Sequence, residues 1–295
     1  KPPLFLTGRS SACNARAASR VRRASDLAGS MAHSPPGSSH SGSCKQPRFH
    51  TVALLSEALP RSHMLIRSAR YHGYELHLLV LTNQERNNFV SSRVHSMLNF
   101  LKVQCKRSVV MFVDAYDVFF LNPARVALER FHSSKAEVVW SMERLYSGQD
   151  PADQPFWENQ VVRSAPAQRR QFRFINTGGF MGYAGTLARL VAEVLTIRPG
   201  ALGWRNKTCG EAHGRHCADQ WIFGHLLART WNRFNTSLDH AQNIFYVATH
   251  MEWSYATASQ RIAETKPCVF HMPFSQAPRV NATLQALYAG FFLQR

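Results

Sequence analysis

The first ordered pattern along the chain is the apolar run HTVALLSEA that follows Phe49, which reads as a short buried strand entering a turn. Over 63–72 the apolar positions recur with helical spacing, and 74–82, YELHLLVLT, alternates before condensing into a β-rich run. Strand, helix and strand in that order open a parallel sheet. An amphipathic helix is predicted over 93–101, and it leads into SVVMFVDAYDVFFLNP. Residues 108–113 form a nearly continuous β-branched and apolar run, as expected of a strand covered on both faces. That run stops at Asp114, and hydrophobic positions resume only at Val118, after a second carboxylate at Asp117. Pro123 opens a predicted helix over 124–131, and AEVVWSME reads as the next buried strand. Over 144–173 the pattern fades into Pro, Gln, Asp and Arg, a long loop with one helical turn. Order returns in FRFINTGGFMGYAG, a strand expected to break at Gly178-Gly179, followed by helices over 186–195 and after Asp219 and a short strand at 269–271. The alternation predicts an α/β domain with a Rossmann-related sheet and functional residues at strand C-terminal ends.

Charge changes this picture less than its size suggests. The formal net charge is +17, from 35 Lys and Arg against 18 Asp and Glu. The first fifty positions hold Lys1, Arg9, Arg16, Arg20, Arg22, Arg23, Lys45 and Arg48 against Asp26, amid Ser, Ala, Gly and Pro. A segment of that composition cannot bury enough apolar surface to fold, so 1–48 is expected to be a disordered basic tail and 49–295 a single ordered domain. Much of the basicity then lies off the fold, and no specific nucleic-acid partner is expected. No stretch approaches the roughly 18 apolar residues of a membrane span, so membrane association is expected only through a segment outside this chain.

The 6 cysteines contain no CxxC pair, which argues against a zinc module. Cys209 and Cys217 bracket a short polar segment and are expected to close a small loop in an oxidising compartment. Glycosylation sequons at Asn206, Asn235 and Asn281 point the same way, towards the endoplasmic reticulum or Golgi lumen or secretion.

Three constellations carry candidate chemistry. A strand ending in Asp114-Ala-Tyr-Asp117 sets two hard oxygen ligands on a rigid edge, where Mn²⁺ or Mg²⁺ could be held with positions open for phosphate oxygens. The same residues also suit turn formation or helix capping. In Asn176-Thr-Gly178-Gly179 the paired glycines allow close backbone approach to a ligand, and equally suit a bulge. Asp219-Gln220 enters a helix, as a reactive carboxylate or as a cap. No P-loop or dinucleotide fingerprint occurs.

Taken in order, these segments resemble the glycosyltransferase domain of the procollagen lysyl hydroxylases. VVMFVDAYDVFF and VVWSMERL are similar to that family's DxYD and Ser-x-Glu strands, and FINTGGFMGYAGTLARLV to its glycine-pair strand and following helix. CADQWIFGHLL, NTSLDHAQNIF and PCVFH resemble its DQ helix, its Leu-Asp-His segment and its late strand ending in a metal-binding histidine. The resemblance runs from about Thr51 to the C-terminus. It implies a GT-A-like mixed sheet flanked by helices, a UDP-sugar donor and a Mn²⁺ cofactor, with Mg²⁺ as the lesser choice. By this resemblance Asp114, Asp117 and His271 would bind the metal, Asp114 also lying near the ribose, and Tyr116 would lie against the uracil. Gly178 and Gly179 would line the sugar pocket with Asn176, while Asp219 and Gln220 would contact the donor sugar or orient the acceptor hydroxyl. Ala53, Ser56, Arg93 and Glu143 fall at donor-side positions.

The implied activity is transfer of a hexose to a hydroxyl of a protein or glycan acceptor, with a collagen-like hydroxylysine-linked glycan as the example; the alternative is a non-catalytic, GT-like binding or scaffold module. Departures from the family pattern bear on that choice. The acidic run before the DQ pair is reduced to Cys-Ala-Asp219, the segment after His271 reads MPFSQA, and the tryptophan expected beyond Glu143 is missing, with Tyr146 or Trp157 as its stand-in. Lysyl hydroxylation is not expected, since no two-His-one-carboxylate iron set stands out.

Overall fold

The computed structural model describes residues 46–61, 63–82, 89–144, 151–161, 165, 171–197, 218–248, 254–273 and 278–292. The proposed tail over 1–45, Cys209, Cys217, Asn206 and Tyr146 lie outside them.

The chain opens with β1 (Phe49–Leu55), α1 (Met64–Tyr71), β2 (Leu76–Val80), α2 (Phe89–Lys102) and β3 (Val109–Val113). Then come β4 (Val118–Phe120), α3 (Ala124–Ser133), β5 (Val138–Glu143), β6 (Phe174–Tyr183), α4 (Ala184–Thr196) and α5 (Ala218–Thr230). The last third holds β7 (Thr236–Leu238), β8 (Phe245–Val247), α6 (Tyr255–Thr265), β9 (Val269–His271) and α7 (Pro278–Phe292). Six strands form the main sheet in the order β2-β1-β3-β6-β5-β7, and β4-β9-β8 form a smaller one. In the main sheet β1 is parallel to β2 and β3, and β5 to β7, whereas β6 runs antiparallel to both β3 and β5. The fold is thus the mixed α/β sheet flanked by helices that the resemblance implied.

The burial pattern explains why these strands pair. Every residue of β3 is buried, because its alternate side chains enter two different cores. Val110 and Phe112 join α2, α4 and α5 on one face; Val109, Met111 and Val113 join α1 and α3 on the other. A third cluster, around Phe119, Tyr246 and Phe270, seats the small sheet on α6 and α7. Ser68 of α1 ties the sheets together, its Oγ accepting the Phe120 amide at 3.0 Å.

Two expectations are corrected. The strand expected to break at Gly178-Gly179 is continuous through the pair, and the irregularity falls in its partnership with β5. Trp140 pairs with Phe180 and Ser141 with Asn176, so the intervening residues bulge, while on the other side Val113 still pairs with Gly179. The loop over 144–173 holds more than one helical turn: consecutive short turns run from Pro151 to Val161. Trp157 in this stretch is fully buried against Phe156 and Trp231, which makes it a core residue rather than a stand-in for the missing pocket tryptophan.

Cys268, next to β9, is buried and free, and its thiol is pushed up to about 12 by burial and by Asp239, with Arg130 opposing. Since the thiolate is the reactive form, Cys268 is expected to resist alkylation near pH ~8 in the folded protein and to react once urea unfolds it, as peptide mass spectrometry would show.

Candidate functional site

Asp114 is the first residue past β3 and stays on the sheet because its amide donates to the Gly178 carbonyl at 2.9 Å. Asp117 immediately precedes β4, and β4 pairs with β9 so that Val118 faces His271. The Met272 amide donates to the Asp117 carbonyl at 3.0 Å, closing that junction. Backbone pairing therefore brings His271, from a distant part of the chain, to the two neighbouring carboxylates. His271 Nε2 lies 3.5 Å from both Asp114 Oδ2 and Asp117 Oδ1, and one donor atom from each of the three residues falls within a 4.8 Å cluster.

Gly178 makes room for this cluster. A Cβ on it would lie 2.1 Å from Cε1 and 2.6 Å from Nδ1 of His271, and 2.7 Å from Asp114 Oδ2. At Gly179 a Cβ would meet the Phe245 ring at 2.6 Å. The glycine pair thus admits the histidine ring and a core aromatic, a packing role the sequence pattern did not disclose.

Arg93 of α2 joins two of the acids. Its guanidinium donates to Asp114 Oδ1 at 2.7 Å and lies 2.8 Å from Asp219 Oδ2 on α5. Burial works against the Arg93 charge, but Asp219 and Asp114 outweigh it and hold the group protonated. Burial also opposes ionisation of Asp114, yet Arg93 and then His271 bring its pKa below the usual range. For Asp219 burial prevails over Arg93, with Asp114 adding to it, and the carboxyl is raised. His271 is raised despite its burial because Asp117, Asp114 and Glu143 face it. Asp114, Asp117 and Asp219 thus surround the Arg93 guanidinium while Glu143 acts on His271, an excess of carboxylates that favours an added cation.

A second group adjoins the first. Glu143, the last residue of β5, accepts from Asn176 Nδ2 at 3.3 Å and from the Gln220 side-chain amide. Asn176 Oδ1 in turn accepts the Gly178 amide at 2.9 Å. The Tyr116 hydroxyl receives the backbone amides of Ser56 and Glu57, each at 3.1 Å, and lies 2.8 Å from Ser56 Oγ. Its ring is left 37% exposed at the mouth of the site. Ala53 is fully buried within β1, among the residues packed against α1 and α3.

Sequence reasoning missed the supports. His225 of α5 lies 2.7 Å from Asp153 and stacks on Trp221, tying the helix that carries Asp219 and Gln220 to the turns at 151–161. Asp239 accepts the amides of Asn243, Ile244 and Phe245 at 2.9, 2.8 and 2.8 Å, fixing the entry to β8 and hence the ring that faces Gly179. The Leu-Asp-His resemblance marked Asp239 without its capping role, for which an acid beside a turn is the local signal.

A divalent ion fits the Asp114–Asp117–His271 cluster on two observations. The donors are two carboxylate oxygens and one imidazole, and His271 turns its Nε2 to both acids at 3.5 Å while its buried Nδ1 has no hydrogen-bond partner.

The sequence model of the PLOD GT domain family matches residues 45–197. Procollagen-lysine,2-oxoglutarate 5-dioxygenase 1 of Rattus norvegicus is 28% identical over 197 residues, 63% of this chain and 23% of that protein. The Homo sapiens protein of that name is 25% identical over 246 residues, 78% of this chain and 29% of that protein. The human multifunctional procollagen lysine hydroxylase and glycosyltransferase LH3 is 26% identical over 136 residues, 43% of this chain and 17% of that protein. The chain therefore spans less than a third of the length of these relatives. Among solved structures, a glycosyltransferase involved in the glycosylation of the major capsid of PBCV-1 superposes with a TM-score of 0.48 at 11% identity, covering 81% of this chain and 100% of that one. Mouse xyloside xylosyltransferase 1 in its apo form superposes with a TM-score of 0.39 at 12% identity, covering 78% and 99%.

Proposed function

Because the chain belongs to the PLOD GT domain family, we propose that it is a metal-dependent glycosyltransferase that moves a hexose from a UDP-sugar to a hydroxyl of a protein or glycan acceptor. The observation that carries this reading is the convergence of Asp114 and Asp117, from the β3–β4 connection, with His271 at the end of β9. Asp114, Asp117 and His271 would hold the ion, and the imidazole favours Mn²⁺ over Mg²⁺. When bound, the ion would neutralise the charge that gathers on the leaving diphosphate.

The remaining steps belong to the chain's own groups. Tyr116, held at its hydroxyl by the amides after β1, offers its ring face to the base of the nucleotide, with Ser56 beside it. Asn176, Gly178 and Gly179 bring backbone and one amide side chain to the sugar, and Glu143 fixes the orientation of that amide. Arg93 holds Asp114 and Asp219 apart and fixed, so neither carboxylate must reorganise as charge develops. Asp219 and Gln220 stand where the acceptor hydroxyl would be oriented. A collagen-like hydroxylysine-linked glycan is the acceptor most in keeping with the relatives' names.

A lumenal or secreted setting is supported by the disulfide at Cys105 and by exposed sequon asparagines at Asn235 and Asn281. Among the described residues no helix is long and apolar enough to cross a membrane. A binding module without turnover is the second reading, favoured by the reduction of the acidic run to Asp219.

Incubation with UDP-glucose or UDP-galactose and a galactosyl-hydroxylysine peptide separates the two. Release of UDP with a hexose added to the peptide, abolished by EDTA and restored by Mn²⁺, is expected; metal-dependent UDP binding without either product would favour the module.

A further inference from the structure

A second set of metal-type donors, two histidines and one carboxylate that the scattered histidines of the sequence did not disclose, lies at the other end of β1. His50 and Val52 share one face of that strand, and the register Val52–His77 puts Glu75 and His77 on the same face of β2. His50 Nδ1 is 3.2 Å from His77 Nε2 and 3.6 Å from Glu75 Oε1, and His77 Nε2 is 3.4 Å from the same oxygen. In a tetrahedral site with metal–ligand bonds near 2.0–2.1 Å, neighbouring donors stand about 3.3 Å apart. The three donor atoms therefore already form one face of such a tetrahedron.

The surroundings suit an ion with an open position. Phe100 packs against both imidazoles from the α2 side, with ring centroids 6.0 and 5.1 Å away, and His50 is only 5% exposed. The Glu75 side chain is 48% exposed, which leaves the outer side free for water. His50 pairs with Val110, four positions before Asp114 and about 13 Å of strand away, so this cluster stands apart from the Asp114 site.

We propose that His50, Glu75 and His77 form a binding site for a divalent transition-metal ion of the zinc class, with water as the fourth ligand. Its role is structural. β2 is the edge strand of the main sheet and only half-buried, and an ion bridging it to β1 would pin that edge.

The test uses the full chain carrying Asp117→Ala, which disables the other cluster, titrated with Co²⁺ and then Zn²⁺. The visible band of four-coordinate Co²⁺ is expected to saturate at one ion per chain, to bleach on addition of Zn²⁺, and to disappear when His77→Gln or Glu75→Gln is added. Both positions are partly or well exposed, and circular dichroism would confirm that each variant remains folded. Failure of the Asp117→Ala chain to take up Co²⁺, or uptake unchanged by both second substitutions, would overturn the proposal.

Discussion

Gly178→Ala is expected to lower hexose transfer by more than about 100-fold while leaving the chain folded, the scale on which misplacement of about 1 Å disrupts catalysis. The new methyl carbon would start 2.1 Å from the His271 ring and 2.7 Å from Asp114 Oδ2. Neither neighbour can retreat easily. His271 is 4% exposed and paired across both Val118 and Val247, and Asp114 is held by Arg93 and by the carbonyl of Gly178 itself. Overpacking of this kind costs roughly 1–3 kcal/mol, which a urea titration would read. Manganese affinity is the direct measurement: a value equal to that of the unaltered chain would mean the ring yields and the cluster is not the metal site.

Arg93→Met is the second large effect, and it falls on stability. Arg93 is 8% exposed and bonded to two carboxylates, and removing one partner of a buried pair costs about 3–5 kcal/mol because the other charge is left uncompensated. The pH dependence follows from Asp219. Burial already raises its folded pKa above the unfolded one, so it binds its proton more tightly folded than unfolded, and its contribution to stability is lost as pH rises from the unfolded value through the folded one. Without Arg93 the rise is larger, and protonation at lower pH relieves more of the cost. The deficit between variant and parent, measured by urea unfolding, is expected to shrink from about pH ~7 to about pH ~5. A deficit that widens on acidification would contradict the assignment of the Arg93–Asp219 pair as the buried, destabilised element.

How far the fold was legible depended on the length of each element. β3 was plain because five consecutive apolar residues stop at a carboxylate, and α1, α3 and β5 lie within a few residues of their expected bounds. β4, β7, β8 and β9 are three residues each, too short for periodicity to mark, and of these only β9 was located. The site divides in the same way. Asp114 and Asp117 declared themselves by position on one strand end, whereas His271 came only through family resemblance, since nothing local to VFH signals a ligand. Arg93 fell at a donor-side position, but its bridge to Asp219 spans 126 positions and depends on how α2 meets α5. Gly178-Gly179 suggested close backbone approach to a ligand or a bulge, while the structure shows the space beside their backbone taken by His271 and Phe245. Ala53 sits inside the core and Ser56 at the rim, a distinction that alternation along β1 alone did not draw.

Calorimetric titration of UDP into the purified chain, in Mn²⁺, in EDTA, and with Asp117→Ala, tests the central claim most directly. The account predicts saturable binding in Mn²⁺ that is lost in EDTA and in the variant; UDP binding that is absent in Mn²⁺, or that persists unchanged without metal and without Asp117, would contradict it.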